Sequence, residues 1–514
     1  MRIRTFALLA SLCMITSAAG SWALSAPGPA VQPSAVAASG STDPPGVPQD
    51  HSRFVDGKTL LLEGRLSRAS IARTSTGTAD AFVLATITGS DVPAGASDAR
   101  PPVHLAIVVD RSGSMAGQKL RNAVRAAVEA VEKMNDGDRV TVVAFDNMAR
   151  VLAPTTVLGP STRAGVEAAI RAVQPGGDTC ISCALETATA ALESSPGATD
   201  EVRRVLLISD GEATTGVRDV GGLRALASRV SARGFSVSTI GVDLAFDEKV
   251  MAAIAQESNG KHWFVPDASA LAGVFQEELG ALETAVATGA ELAIEPAPGV
   301  VIEDVLDRPF RRQGNRVLVQ LGTFDPRQEK TVLLRARVPS DGDGDQPVAR
   351  LAMTYRDVHQ RLDARCGGSL GLQVRSDGTE QKDVDPFVAT RLERSLTART
   401  LTEANDLFEQ GKADEARGRI ATRRSELAKA LPAATAAAAG AGGGHVAFSR
   451  SVDADFAQQQ AVLEQAQTGF SAPPAAHGGM MAGAGGVSAG PAAAAPAAKS
   501  AVRANQANAV DLAF

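Results

Sequence analysis

The chain has little cysteine and little histidine, and no block of charge of one sign. Its four cysteines and six histidines show no spacing that would hold zinc, and no His-Glu-x-x-His occurs. The histidines at 51, 104, 262, 359, 445 and 477 include no triad signature, so hydrolytic chemistry is not expected. A formal charge of −6, spread along 514 residues, offers nothing for nucleic acid or an anionic membrane surface. After the N-terminal region no apolar stretch approaches transmembrane length. At this length two to four domains are expected.

The N-terminus carries Met1-Arg2-Ile3-Arg4, an apolar stretch from Phe6 to Ala19, and Ser21-Trp22-Ala23. That order is the pattern of a secretory signal peptide over residues 1–23, cut after Ala23. Cys13 lies inside the apolar stretch after Leu12, a poor context for lipidation. The expected mature protein is exported, to the periplasm, cell surface or medium, without a transmembrane span. Residues 24–50 are rich in Ala, Pro, Ser and Gly, as in a flexible linker.

The most informative segment is His104-Leu105-Ala106-Ile107-Val108-Val109 followed by Asp110-Arg111-Ser112-Gly113-Ser114. A short continuous apolar run reads as a strand buried on both faces. From Gln118 to Met134, Leu120, Ala123, Val124, Ala127, Val128, Val131 and Met134 recur at helical spacing. The acidic loop therefore falls where a strand ends and a helix begins, the edge at which open α/β sheets bind ligands. One carboxylate and two hydroxyls form an oxygen-only set suited to Mg²⁺, Mn²⁺ or Ca²⁺. Ser114 alone would also serve as a helix N-cap.

Two further segments belong with it. Arg204 to Ser209 is a second buried strand ending in Asp210-Gly211, and Gly176-Gly177-Asp178-Thr179 offers a hydroxyl on a glycine-rich loop. Together they resemble the von Willebrand factor type A (VWA) family over about Val103 to Ala285. The resemblance implies a metal-ion-dependent adhesion site formed by Asp110, Ser112, Ser114, Thr179 and Asp210. It also implies a doubly wound, mainly parallel sheet, a divalent cation (Mg²⁺ foremost), and a protein ligand offering an acidic side chain. Further βα units fit: strands over Asp138 to Phe145, Phe235 to Val242 and His262 to Val265, with helical periodicity over Leu223 to Val230, from Lys249, and over Ala270 to Leu282.

Beside Thr179, Cys180-Ile181-Ser182-Cys183 starts a helix, where a thiol is more reactive. In an oxidising compartment a local disulfide is favoured over a redox role. Cys366 would then be free or pair with another chain. Such modest cysteine usage fits an exported bacterial protein.

Around the 103–285 segment the sequence reads as β structure. Residues 51–102 contain strands over Thr59 to Leu66 and Ala81 to Ile87, too few to bury a core alone. Residues 286–375 contain strands over Glu291 to Ile294, Val300 to Ile302, Arg316 to Leu321, Thr331 to Val338 and Val348 to Tyr355. The expectation is one β-sandwich with the VWA domain inserted, a flanking arrangement also similar to the inter-alpha-trypsin inhibitor heavy chains. Asp341-Gly342-Asp343-Gly344-Asp345 opens like a calcium loop, but Ala352 stands where glutamate is needed, so a hairpin turn is expected.

Residues 386–432 read as a helical hairpin turning at Gln410-Gly411-Lys412, with one tetratricopeptide-like unit and no array. From 433 to 514 Ala and Gly dominate, with one helix expected over Asp453 to Thr468 and the remainder unable to order itself. Three functional classes follow: a metal-dependent adhesion or complex-assembly protein, favoured; a structural cell-envelope protein with a vestigial metal site; and a regulatory subunit of a larger assembly. An enzyme is not expected.

Overall fold

Strand Val103–Asp110 is buried at every position because both of its faces are covered. Leu105, Ile107 and Val109 join one apolar cluster with Leu120, Ala127 and Val131 of helix Gln118–Lys133 and Phe275, Leu279 and Leu282 of helix Leu271–Thr284. Ala106 and Val108 face a second cluster, with Ile181, Leu185, Leu226, Val230, Met251 and Ile254. Each fully buried Val, Leu or Ile contributes roughly 1.5–3 kcal/mol of transfer free energy, so alternation of this one strand ties two helical layers together. The computed structural model describes residues 51–91, 100–195, 201–210, 212–242, 248–265, 268–306, 308–381, 383–440, 446–470 and 496–513. The expected signal peptide at 1–23, the expected linker at 24–50 and Phe514 lie outside them.

The six-stranded sheet runs, in spatial order, His262–Val265, Ser236–Val242, Val202–Ser209, Val103–Asp110, Arg139–Phe145 and Ala149–Val157. Its first five strands are parallel and the last is antiparallel. This is a VWA-like α/β fold. The antiparallel edge strand was not expected from sequence, because Ala149–Val157 mixes exposed and buried residues without clean alternation.

Two further sheets lie outside this layer. A five-stranded sheet orders Arg53–Gly57, Leu60–Leu66, Thr78–Gly89, Glu329–Pro339 and Val301–Leu306. A six-stranded sheet orders Arg311–Gln313, Arg316–Phe324, Ala287–Pro296, Gly344–Asp357, Leu362–Arg375 and Ser70–Ala72. Both draw on chain from before residue 103 and after residue 285, and their inner residues form a single apolar cluster containing Leu62, Val83, Leu292, Phe324, Leu334 and Leu351. Thr78–Gly89 pairs with Glu329–Pro339 along its whole length, Thr88 opposite Glu329 and Thr78 opposite Pro339.

One expectation is corrected here. Residues 341–345 do not close a hairpin, because Glu329–Pro339 and Gly344–Asp357 belong to different sheets. The glycine-rich segment carries the chain across from one layer to the other. Gln313-Gly314-Asn315 does turn between two paired strands, with Gly314 at φ +60, a conformation that costs glycine nothing.

The C-terminal region begins with Asp385, whose carboxylate accepts from the Phe387 and Val388 N–H groups at 2.9 and 3.2 Å. Pro386 follows at the first helical position, where its missing N–H is harmless. Helices Pro386–Glu409 and Ala413–Gly440 are joined through Gly411 at φ +80. Helix Val446–Gly469 contains the stretch expected as a helix over Asp453 to Thr468, whereas the expectation that the remainder of 433–514 cannot order itself is corrected by a second helix, Pro496–Ala513. They bury Val452, Phe456, Leu463, Phe470 and Leu512 in one cluster with Leu401, Ile420 and Leu427. Alanine carries the highest helix propensity, and the hairpin supplies the apolar surface that the tail lacks alone. Residues 441–445 and 471–495 lie outside the described part. Among the described residues no helix is long and apolar enough to cross a membrane.

Candidate metal site

At the carboxyl edge of the parallel strands, Asp110 ends one strand and Asp210 follows its neighbour Val202–Ser209. Both residues are 0% exposed. Asp110 Oδ1 accepts from the Ser112 N–H at 2.8 Å, and Oδ2 accepts from Ser209 Oγ at 2.6 Å. Ser112 Oγ and Ser114 Oγ lie 3.1 Å apart, and Ser114 Oγ donates to Asp210 Oδ1 at 2.8 Å. Asp210 Oδ2 receives the Lys119 ammonium at 2.6 Å. Four of the five sequence-identified residues thus form a continuous hydrogen-bonded chain.

Thr179 is carried alongside. The Gly113 N–H donates to Gly177 O at 2.9 Å and the Gly176 N–H to Arg111 O at 2.6 Å, zipping the glycine loop to the acidic loop. Thr179 O accepts from the Thr214 and Thr215 N–H groups at 2.9 and 3.1 Å, so the segment after Asp210 is held as well. Thr179 is 3% exposed. Its N–H also donates to Thr214 Oγ1 at 2.8 Å. The Thr215 hydroxyl is buried with no hydrogen-bond partner among the described residues.

Burial raises the Asp110 carboxyl to about 6; the Asp210 charge adds to this, while bonds from Ser209 and Ser112 oppose it. A buried carboxylate pair of this kind is stabilised by a cation. Lys119, Ser209, Asp146 and Thr215 were not identified from sequence. Lys119 was legible only as a helix residue, and Ser209 only as the end of a strand. Asp146 accepts from Arg111 and from the Met148 N–H, and these hold its carboxyl below the usual range although burial opposes them. Its Oδ2 leaves no room for a Cβ at Gly176.

Among the described residues no group of three or more His, Cys, Asp or Glu is placed to hold a metal ion. The oxygen set is therefore hydroxyl-rich, with two carboxylates, and its chemistry fits a hard divalent ion better than zinc. Cys180 and Cys183 are disulfide-bonded at the start of helix Ile181–Glu193, directly after Thr179. Cys366 is a free, buried cysteine, and burial lifts its thiol to about 11. His104 is fully buried against Thr141, near the start of the strand that ends in Asp110, and His262 bonds Thr239 Oγ1 at 2.9 Å.

Residues 105–212 match the family model of the von Willebrand factor type A domain. The chain carries a VWA domain, and such domains commonly bind a divalent metal and mediate protein interactions. An uncharacterized protein of Synechocystis is 26% identical over 270 residues, 51% of this chain and 63% of that protein. Mouse inter-alpha-trypsin inhibitor heavy chain H2 is 26% identical over 164 residues, 31% of this chain and 17% of that protein. The chain thus spans less than two thirds of either relative. Two solved structures share the fold across 79% of this chain: von Willebrand factor type A from Catenulispora acidiphila, at TM-score 0.58, 18% identity and 90% of its own length, and the ArnB paralog VWA2 from Sulfolobus acidocaldarius, at 0.54, 16% and 98%.

Proposed function

We propose that this is an exported, non-enzymatic protein that binds a protein ligand through a divalent ion, in adhesion or in assembly of a complex. Asp110, Ser112, Ser114, Thr179 and Asp210 would hold the ion, Mg²⁺ foremost with Mn²⁺ or Ca²⁺ as alternatives. The ion would supply a coordination position that an acidic side chain of the partner fills. The observation that carries this reading is the hydrogen-bonded chain from Asp110 through Ser112 and Ser114 to Asp210, with both carboxylates fully buried. Two desolvated carboxylates at one loop edge have a strong electrostatic demand for positive charge.

In this reading the protein's own residues divide the work. Ser209 and the Ser112 N–H aim the Asp110 carboxylate. Ser112, Ser114 and Thr179 offer neutral oxygens, which leave a bound ion electrophilic toward an incoming carboxylate. The β sheets that flank the VWA domain support a role as a rigid frame for presenting this edge.

Lys119 favours a second reading. Its ammonium already pairs with Asp210, which is what a vestigial, cation-independent site in a structural envelope protein or a subunit of a larger assembly would use. Thermal melting separates the two. Mg²⁺, Mn²⁺ or Ca²⁺ should raise the melting temperature of the wild type, and Asp110→Ala should abolish the shift while the fold persists. Capture of an envelope partner should vanish in EDTA and return with Mg²⁺. A melting curve indifferent to all three ions establishes the vestigial reading.

A further inference from the structure

The VWA layer and the β sheets meet at a cavity of about 400 Å³, within the size range of small-ligand sites. Its VWA wall includes Arg204, Lys261 and Trp263; its β wall includes Arg308, Asp325 and Lys330. Four cationic side chains therefore converge on one space far from the metal edge. Arg204 and Arg308 are buried, at 6% and 5% exposure.

The acids are fewer in the deep part. Glu278 is spent on the VWA side, accepting from Arg204 at 2.7 Å, Trp263 Nε1 at 2.7 Å and Ser238 Oγ at 2.9 Å. Glu277 and Lys261 pair loosely at 3.7 Å toward the exposed rim, where Glu329 also stands. In the deep part Arg204, Arg308 and Lys330 stand with Glu278 and Asp325, Arg204 also donating to Ser236 Oγ at 3.1 Å and Arg308 to Thr331 O at 2.5 Å. Lys330 donates to two backbone carbonyls, Leu321 O and Thr323 O, each at 2.7 Å. Its ammonium, on the wall of the same cavity, also lies 4.6 Å from the Phe324 ring centre. Burial, together with the Arg308 and Arg204 charges, pulls Lys330 down to about 7. Asp325, shifted upward by burial, offsets this only in part. His262, also in the wall, is held neutral, at about 4, by desolvation. The indole of Trp263, with the Lys261 ammonium 5.4 Å from its ring centre, adds an apolar surface.

We propose that this inter-domain cavity is a binding site for a small organic anion, whose carboxylate or phosphate group is taken by Lys330, Arg308 and Arg204 while its carbon skeleton lies against Trp263. Such a ligand touches both the VWA layer and the β frame, and so links them independently of the metal edge.

The test titrates the full chain with citrate and with inorganic phosphate, using sodium chloride at matched ionic strength as control, and reads heat and melting temperature. Saturable binding of citrate alone identifies a carboxylate site, and saturable binding of phosphate alone or of both identifies one that accepts a phosphate group. Lys330→Met should weaken binding about tenfold or more, and Asp325→Asn should strengthen it, so a poorly folding Lys330 variant still leaves an opposite-signed arm. Because the anion favours the charged ammonium, binding should take up protons and weaken as the pH rises from roughly 6 to 8. Chloride matching both probes, no saturable heat at millimolar concentration, or binding unchanged in both variants overturns the proposal.

Discussion

The Lys119 ammonium lies 2.6 Å from Asp210 Oδ2, on a residue that is fully buried and that also accepts the Ser114 hydroxyl. Lys119 belongs to the first turn of helix Gln118–Lys133, directly after the acidic loop. The loop and the helix thereby supply both the carboxylates' neutral oxygen neighbours and a positive charge. A divalent ion at the same edge would compete with that charge for Asp210.

Lys119→Met should accordingly lower the ion-free melting temperature and enlarge the stabilisation given by Mg²⁺. Removing one partner of a buried pair leaves an uncompensated charge and costs up to about 3 kcal/mol. Melting curves of wild type and variant, with EDTA and with Mg²⁺, measure both effects. Equal responses would show that Lys119 and the ion do not share Asp210.

Gly176→Ala should disturb the site without touching a ligand. A Cβ at Gly176 collides with the Asp146 carboxylate, which Arg111 and the Met148 N–H hold in place. The glycine loop must then move away from the Arg111 carbonyl that it bonds, and Thr179 moves with it. Ion affinity should fall about tenfold, or about 1.4 kcal/mol, with a smaller loss of fold stability.

His262 should give the protein an acid-sensitive component. Desolvation lowers it from 6.5 to about 4, so the native state binds its proton less readily than the unfolded chain. Stability from this group is complete above the unfolded pKa and is lost as the pH falls from 6.5 toward about 4. The loss amounts to about 3 kcal/mol at most. Urea melts across that range should steepen for wild type relative to His262→Gln; identical slopes would remove His262 as the cause.

Excision should separate the layers. A fragment spanning 103–285 keeps all six strands of its sheet and both apolar clusters, and should melt cooperatively. Residues 286–375 without 51–102 lose Thr78–Gly89, the full-length partner of Glu329–Pro339. They should expose Val332 and Leu334, buried at 0%, and bind a hydrophobic dye. A cooperatively folding 286–375 fragment would show that the two sheets do not depend on their N-terminal strands.

What the sequence by itself determined was local and periodic. Val103 to Val109 could only be a strand covered on both faces, so Asp110 had to stand at its carboxyl end with Ser112 and Ser114 in the loop beyond it. Asp385-Pro386 and Gly411 likewise marked a helix start and a helix turn through chemistry confined to a few residues. The tertiary structure decided whatever depends on partners remote in sequence. It put Glu329–Pro339 and Gly344–Asp357 into different sheets, although only four residues separate them, because each finds its own neighbours, Thr78–Gly89 and Val301–Leu306 for the first and Ala287–Pro296 and Leu362–Arg375 for the second. It ordered helices Val446–Gly469 and Pro496–Ala513, whose alanine-rich faces become a core only against the hairpin. It also brought Lys119 to Asp210, 91 positions away, and Lys330 and Arg204 into the lining of one cavity. Pairings of this kind leave no periodic trace in a sequence, since the free energy that favours them comes from surfaces that meet only once the layers have packed.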